Sequence, residues 1–339
     1  MIGPDPVWRL TPALGAPLGR GRLRVTPEDF QVDEQLAFTP AGEGEHLMLQ
    51  VCKRNANTDT VARHLARQAG VRAKNVGYCG MKDRHAVTTQ WFSLPWPIKR
   101  DLPDPAAWSD PGQGIHIRQL DRHDRKLRRG AHAANRFRLV LRLETPLDPT
   151  AVAERLDQMR ACGVPNGFGP QRFGWGGSNL ERFEAQDRPT GIVLSAARSA
   201  LFNHVLEQRI TDGSWDQLIP GEWVCLSGSR SGFLAESVDE TLLARLKAGD
   251  LHPSGPMPGR AGDGPAGEAL AREQAWLAPA SKWLEKLGVC GVDALRRPLR
   301  VIPQHLQWEQ EDRDSLTLCF ELPPGSFATS VVAECIETD

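Results

Sequence analysis

The spacing of apolar residues changes twice along this chain of 339 residues, and this limits the possible folds more than any other feature. Up to about residue 150 apolar and polar residues mostly alternate, as in NRFRLVLRLE (135–144), which is the period of a half-buried strand. From 151 to about 300 the spacing is mainly helical. SLTLCFELP (315–323) then returns to strict alternation. The chain is therefore predicted to be α+β, with a mainly helical domain inserted into a domain built on a mixed, largely antiparallel sheet.

The same two periods predict the individual elements. The sheet domain is expected to span 1–160 and 301–339, and the insertion 161–300. The strands are predicted at 29–36, 46–53, 87–95, 115–120, 135–144 and 315–323. The helices are predicted at 57–70, 151–163, 190–210, 240–249, 268–277, 281–288 and 328–337. The segment rich in proline and glycine at 252–267 is expected to be a loop.

Several common kinds of functional site lack their signatures in this sequence. The seven cysteines form no C-x-x-C pair and there is no H-E-x-x-H, so no metal site is predicted. Neither the dinucleotide-binding nor the phosphate-binding glycine motif is present, so no cofactor is predicted. No apolar run approaches about 18 residues, and the N-terminal MIGPDPVWRL has no features of a signal peptide. We therefore expect a cytoplasmic protein that spans no membrane.

The charge is distributed unevenly, although the net charge of the whole chain is only −1. Residues 53–142 carry 19 Lys and Arg against 7 Asp and no Glu, and the rest of the chain is correspondingly acidic. A cationic region of this kind suits a polyanion such as RNA. An ordinary solvated surface is the other interpretation of such a patch.

Two parts of the cationic region favour nucleic acid. RQLDRHDRKLRR (118–129) concentrates basic side chains, and the strand at 135–144 has apolar residues on one face and arginines on the other. Arg63 and Arg67 lie four residues apart and share one face of the predicted helix. Arginines fixed on a strand or helix are well placed to contact phosphates.

The densest candidate for chemistry is VGYCGMKDRHAVTTQW (76–91). Two glycines permit a tight backbone path, and Asp83 then lies between Lys82 and Arg84, just before a predicted strand. Flanking cations favour the ionised form of a carboxylate, which suits a nucleophile or base acting on an anionic substrate. For these three residues alone, a structural ion pair at a turn is the commoner explanation.

Several segments, taken in order, resemble the TruD family of tRNA pseudouridine synthases. They are PEDFQVDE (27–34), KRNANTDT (53–60), GYCGMKDRHAVTTQW (77–91), ANRF (134–137), GPQRFG (169–174) and LPPGSFATSVV (322–332). The resemblance spans nearly the whole chain and implies a pseudouridine synthase catalytic domain with an inserted TruD-specific domain. Met81 and Gly167 depart from the family pattern, where leucine and an aromatic residue are usual.

The resemblance also implies roles for individual residues. Asp83 matches the catalytic aspartate, and Arg24 falls where the family often has a basic residue near that aspartate. Phe30, Asn135 and Phe327 match positions that contact the target nucleotide. The residues expected to contact the RNA backbone are Arg63, Arg67, Lys82, Arg84, Arg118, Arg122, Arg125 and Arg136.

The reaction implied by the resemblance is the isomerisation of uridine to pseudouridine at position 13 of tRNA, in the D-arm region. No group is imported and no redox change occurs, so the reaction needs neither a cofactor nor a metal. The target base must leave its stack to reach an interior aspartate. The family resemblance also implies that the protein works as a monomer without an obligate protein partner.

Two other functions are compatible with the residues. A non-catalytic RNA-binding or RNA-chaperone protein would use the same cationic surface. A hydrolase would use Asp83 and His85, which lie two residues apart at the start of a predicted strand and so point in similar directions. Neither alternative explains the full set of segments listed above.

Overall fold

The structure is a computed structural model that describes residues 9–229, 231–310 and 312–338. Most of the N-terminal segment that was inspected for a signal peptide, residues 1–8, lies outside the described residues. Within the described part of the chain, every helix is too short or too polar to cross a membrane.

The bounds of the elements in the described residues are as follows. The strands are β1 (Gly19–Arg22), β2 (Phe30–Leu36), β3 (His46–Arg54), β4 (Gly77–Tyr78), β5 (Val87–Pro95), β6 (Ile115–His123), β7 (His132–Leu143), β8 (Val164–Pro165), β9 (Glu222–Leu226), β10 (Gly232–Ala235), β11 (Leu251–Met257), β12 (Leu295–Pro298), β13 (Arg300–Val301), β14 (Gln304–Glu309), β15 (Ser315–Leu322) and β16 (Ile336–Thr338). The helices are α1 (Thr58–Ala69), α2 (Pro105–Trp108), α3 (Pro149–Cys162), α4 (Ser178–Ala185), α5 (Gly191–Thr211), α6 (Glu240–Lys247), α7 (Gly267–Leu277), α8 (Ser281–Val289) and α9 (Ala328–Ala333).

The described residues form two compact units. The first, called the sheet unit here, contains 19–148 and 304–325 together with Thr338. The second, called the mixed unit, contains 9–18, 149–303 and 326–337. The domain boundaries expected from the sequence, 161 and 300, stay a prediction.

The sheet unit is built on one large sheet with the strand order β14-β15-β7-β2-β5-β3-β6. Only the β2–β5 pair along this path is parallel, so the sheet is mixed and largely antiparallel, as predicted. Helix α1 buries Val61 and Leu65 against Leu49 and Phe92 of the sheet. The helix ends at Gly70, whose φ of 71° is left-handed and costs glycine little.

The register of β2 and β7 determines which side chains share a face. Phe30 lies opposite Leu139, and Glu34 lies opposite Asn135. Opposite residues of an antiparallel pair point to the same face, as do residues two apart in one strand. The polar residues Glu34 and Asn135 therefore lie on the same buried face as Phe30.

The mixed unit contains a second sheet with the order β10-β9-β11-β12 besides its helices. Its longest helix, α5, buries Phe202 and Leu206 in one apolar cluster and Val205 in another. The prediction of a loop at 252–267 is wrong for its first six residues, because β11 runs from Leu251 to Met257. Residues 251–253 of this strand pair with β9, and residues 254–257 pair with β12. Because each half has a neighbouring strand on one side, the strand tolerates prolines, which lack a backbone N–H to donate.

The α+β class and most of the predicted elements are confirmed. Each of the six predicted strands is present, although β6 extends three residues beyond its predicted end. The five helices predicted between 151 and 288 correspond to α3, α5, α6, α7 and α8, and the last predicted helix ends early, at Ala333. The prediction missed two helices, α2 and α4, and all four strands of the second sheet. It also missed β1, β4, β8, β13, β14 and β16.

Candidate active site

Asp83 lies in the loop between β4 and β5, where the structure brings together three residues that the sequence singled out. The Arg24 Nη2 atom is 3.4 Å from the Asp83 Oδ2 atom. The Arg24 guanidinium also lies over the Phe30 ring, 4.0 Å from its centroid. The side chains of Arg24 and Asp83 are 22% and 34% exposed, so the carboxylate can be reached from solvent. The guanidinium attracts the carboxylate and fixes its direction.

Arg24 has an unusual backbone conformation. Its φ is 62°, in the left-handed region that costs a residue with a Cβ about 1–2 kcal/mol. Its Nε atom is buried and has no hydrogen-bond partner among the described residues. Both features identify Arg24 as a residue whose placement the surrounding fold enforces.

The Phe30 ring is almost completely covered, with 1% of the residue exposed. Arg24 covers one face of the ring, and Phe137 packs against it in an edge geometry with centroids 6.2 Å apart. In this structure Phe30 therefore supports the guanidinium. Its predicted contact with the target nucleotide stays a prediction.

The loop that precedes Asp83 is fixed by fully buried polar side chains. The Gln90 amide donates to the Gly80 carbonyl at 3.2 Å, and the Lys82 backbone N–H donates to the Thr58 hydroxyl at 3.0 Å. Thr58 in turn donates to Gln90 at 3.0 Å. Each buried polar atom in this set has a partner, as a stable interior requires.

A buried lysine completes the support of the loop. The Lys53 Nζ atom donates to the Asp83 backbone carbonyl at 2.7 Å, and Lys53 is 0% exposed. Burial lowers the pKa of this ammonium to about 8, while the negative charge of Asp83 acts in the opposite direction.

Lys82, which is predicted to contact the RNA backbone, is enclosed in an ion pair within the sheet unit. The Lys82 Nζ atom is 2.6 Å from the Glu34 Oε2 atom, and the two side chains are 6% and 0% exposed. The Glu34 Oε1 atom also accepts the Trp91 backbone N–H at 3.1 Å. The ammonium therefore faces a carboxylate in this structure, and its contact with the RNA backbone stays a prediction.

Asn135 lies at the end of this buried polar group. Its Nδ2 atom is 3.3 Å from the Nε2 atom of His132. Its Oδ1 atom is buried without a hydrogen-bond partner in the described part of the chain. Burial, and then the charge of Lys82, lower the pKa of His132, which therefore carries no charge near neutral pH. An unpartnered amide oxygen suits the predicted role of Asn135 as a hydrogen-bonding group for a nucleotide.

Three of the neighbouring side chains are of types that bind metals. The ligand atoms of Glu34, Cys79 and His132 lie within 4.8 Å of one another. However, the Lys82 ammonium already occupies the carboxylate, and burial followed by the charge of Glu34 raises the pKa of the Cys79 thiol to about 12. As arranged here, the group suits a protonated lysine better than a metal cation.

The remaining predicted contacts lie at different places. Phe327 belongs to the mixed unit, where its ring centroid is 5.7 Å from that of Phe168. Arg122 donates to the backbone carbonyls of three residues: Gly44, Pro97 and Arg100. Arg136 pairs with Glu321 and lies on the opposite face of β7 from Asn135. The other predicted RNA contacts are exposed: Arg63, Arg67, Arg84, Arg118 and Arg125.

Comparisons with known proteins agree over almost the whole chain. The family model for tRNA pseudouridine synthase D (TruD) matches residues 14–179 and 187–335. A tRNA pseudouridine synthase D from Nitrosococcus oceani is 45% identical over 335 residues, which are 95% of this chain and 92% of that protein. One from Pseudomonas aeruginosa is 46% identical over 342 residues, 96% and 93% of the two chains.

A solved structure shows the same fold. The crystal structure described as that of the "Putative tRNA pseudouridine synthase D (TruD)" from Methanosarcina mazei superposes with a TM-score of 0.74 at 21% identity, covering 97% of this chain and 96% of that one. The family model and the relatives together leave no doubt about the assignment. The chain belongs to the TruD family of tRNA pseudouridine synthases.

Proposed function

We propose that this protein isomerises uridine to pseudouridine at position 13 of tRNA and that Asp83 is its essential aspartate. Membership of the family supports the reaction and the tRNA substrate. The observation that carries the assignment of the aspartate is the pairing of Asp83 with Arg24, 3.4 Å apart, in a half-exposed loop.

The chemistry requires one ionised carboxylate and no imported group. The C1′–N1 bond breaks and a C5–C1′ bond forms, while C5 loses its proton and N1 gains one. The Asp83 carboxylate either attacks C1′ or removes a proton from the sugar, and both routes begin from the charged form. Arg24 holds the carboxylate by Coulomb attraction and fixes its direction.

Asn135 has an unpartnered amide oxygen that suits a hydrogen bond to the flipped nucleotide. The proposed contacts of Phe30 and Phe327 with the nucleotide rest on the family resemblance. The exposed arginines of the sheet unit hold the phosphate backbone, so tRNA binding depends strongly on salt.

The protein is proposed to act in the cytoplasm as a monomer without an obligate partner. All seven cysteines are free thiols, which suits a reducing compartment. The proposal that it is a monomer rests on the family resemblance.

The decisive experiment measures tritium release from C5 of uridine in unmodified tRNA transcripts. Wild type, Asp83→Asn and Asp33→Asn are compared, because Asp33 is exposed on β2 and serves as a matched control. We expect release by wild type and Asp33→Asn and none by Asp83→Asn, with tRNA binding retained by all three. A transcript with cytidine at position 13 tests the target position.

Each alternative predicts a different result. If wild type binds tRNA but releases no tritium, the protein is an RNA-binding protein without this activity. If Asp83→Asn releases tritium at the wild-type rate, Asp83 is not the essential aspartate. Cleaved RNA in the product analysis would instead favour the hydrolase.

A further inference from the structure

Lys53 is buried more completely than lysines normally are. It lies near the end of β3, is 0% exposed, and is among the largest fully buried side chains of the described residues. Its cross-strand neighbours are Thr88 in β5 and Ile115 in β6. Lysine is almost never fully buried unless it is paired, because an ammonium loses its hydration in the interior.

The contacts of Lys53 lead to the candidate aspartate. Among the described residues, no carboxylate oxygen lies within 4 Å of the Lys53 ammonium, so the lysine is not half of an ordinary ion pair. Its hydrogen bond goes to the Asp83 backbone carbonyl, at 2.7 Å. A buried cation that donates to the residue carrying the chemistry serves that residue's placement, since a methionine would fill the same space at a lower desolvation cost.

We propose that Lys53 is a positioning residue for the isomerisation. It fixes the backbone of Asp83, so that the carboxylate stays against Arg24, and it places a buried positive charge behind that carboxylate. The inference rests on the proposed function of Asp83. It assigns to Lys53 no contact with the substrate.

The pKa of Lys53 depends on its burial and on a few charged neighbours. Burial is the main influence and lowers the pKa of Lys53 to about 8, the negative charge of Asp83 raises it, and Lys82 lowers it. Cys52, the preceding residue, has a minor raising effect. Arg24 is paired with Asp83, and Lys82 is paired with Glu34. Deprotonation above about pH 8 therefore removes the charge behind Asp83 while leaving these other pairs in place.

The test compares kcat, KM and tRNA affinity for wild type, Lys53→Met and Lys286→Met between pH 6 and 10. Lys286 is a matched control, because its ammonium also donates to a backbone carbonyl, that of Phe183 at 2.6 Å, but it belongs to the mixed unit. Lys53→Met is expected to lose about 100-fold in kcat, because small misplacements of a reacting group have effects of this size, and to keep its tRNA affinity. Lys286→Met is expected to behave as wild type.

The pH profile separates positioning from a purely structural role. In wild type, kcat/KM should fall above about pH 8 as Lys53 loses its proton, and in Lys53→Met this fall should disappear. Lys53→Arg stays charged and should recover part of the activity with the fall moved to higher pH. The recovery also keeps the inference testable if the methionine variant does not fold.

Three outcomes would overturn the inference. A kcat of Lys53→Met within twofold of wild type would show that the hydrogen bond to Asp83 does not matter. If Lys53→Met folds and has a reduced kcat, but its kcat/KM still falls above about pH 8 as in wild type, the charge of Lys53 has no role. The same conclusion follows if Lys53→Arg folds but recovers no activity. By contrast, wild type that releases no tritium would refute the proposed function itself.

Discussion

The buried pair of Glu34 and Lys82 should be one of the most sensitive points of the sheet unit. The Nζ–Oε2 distance is 2.6 Å and both side chains are almost fully buried. Lys82→Met removes the cation, and among the described residues only the Trp91 N–H then remains as a partner of the enclosed Glu34 carboxylate. Removing one member of a buried ion pair costs about 3–5 kcal/mol. We therefore expect Lys82→Met to destabilise the protein by that amount.

The double variant Glu34→Gln/Lys82→Met provides the critical comparison. Glutamine keeps an oxygen for the Trp91 N–H but carries no charge, so the cost of an enclosed, unpaired carboxylate disappears. The double variant should therefore be more stable than Lys82→Met by about 2–4 kcal/mol. In a unit of about 150 residues each kcal/mol shifts the melting temperature by roughly 2–4 °C, so the two variants should differ by about 10 °C.

Thermal and urea unfolding give the free energies. Hydrogen exchange of the peptides that contain Glu34 and Trp91 assigns the change to the sheet unit. If the two substitutions add within about 0.5 kcal/mol, the pair is not coupled and the reasoning fails. If Lys82→Met is as stable as wild type and lowers the salt dependence of tRNA binding by one charge, Lys82 is an RNA contact after all.

Three further predictions concern the site and its surroundings. Arg24→Met should lower kcat about 10–100-fold in the tritium-release assay, because the Asp83 carboxylate is then no longer held in place. It should change the free energy of unfolding by less than about 1 kcal/mol, because the pair is partly exposed. A wild-type kcat would contradict this prediction. Gly77→Ala should destabilise by about 1–3 kcal/mol in urea, since its Cβ would lie 2.5 Å from the Leu127 carbonyl; unchanged stability would mean that this segment yields easily. The last prediction concerns four exposed arginines: Arg63, Arg67, Arg118 and Arg125. Changing one of them to glutamine should reduce the slope of the logarithm of the tRNA association constant against the logarithm of the salt concentration by about 0.7–0.9 for each lost phosphate contact. An unchanged slope would exclude that residue from the interface.

The sequence predicted the periodic parts of the fold because burial on one face leaves a visible pattern. Strand β7 alternates from Asn135 to Leu143, and α1 has a capping signal and a terminal glycine. Strand β11 has no such pattern, since six of its seven residues are buried and two are prolines. A strand that changes partners midway cannot be recognised from local composition.

The candidate site was predicted from resemblance more than from physics. Nothing in the spacing of Arg24 and Asp83 indicates that they pair, because 59 residues separate them and only the sheet brings them together. One signal for the buried lysine was present, however. Lys53 continues the alternation of Leu47, Leu49 and Val51, all of which are buried, so the strand period alone placed it inward.

The ion pair of Lys82 could not be predicted by counting charges, for a related reason. The net charge of a segment does not show whether each side chain points into the protein or toward solvent. Lys53 and Lys82 both contributed to the cationic total of residues 53–142. The structure turns both ammonium groups inward, one to a backbone carbonyl and the other to Glu34. The surface available to RNA is therefore less cationic than the sequence suggests.

The protein has to bind a polyanion next to a carboxylate that takes part in the reaction. Buried cations and exposed cations serve these two needs separately. Phosphates that approach Asp83 create a negative potential, which disfavours the ionised form that the chemistry needs. Exposed arginines that attract the tRNA are screened by salt and neutralised by the phosphates that they bind. The charge of Lys53 is enclosed and the guanidinium of Arg24 is held against the carboxylate, so these two persist in the complex. Binding and the state of the carboxylate thus depend on different charges, which explains why the fold retains a buried lysine where an apolar residue would be more stable.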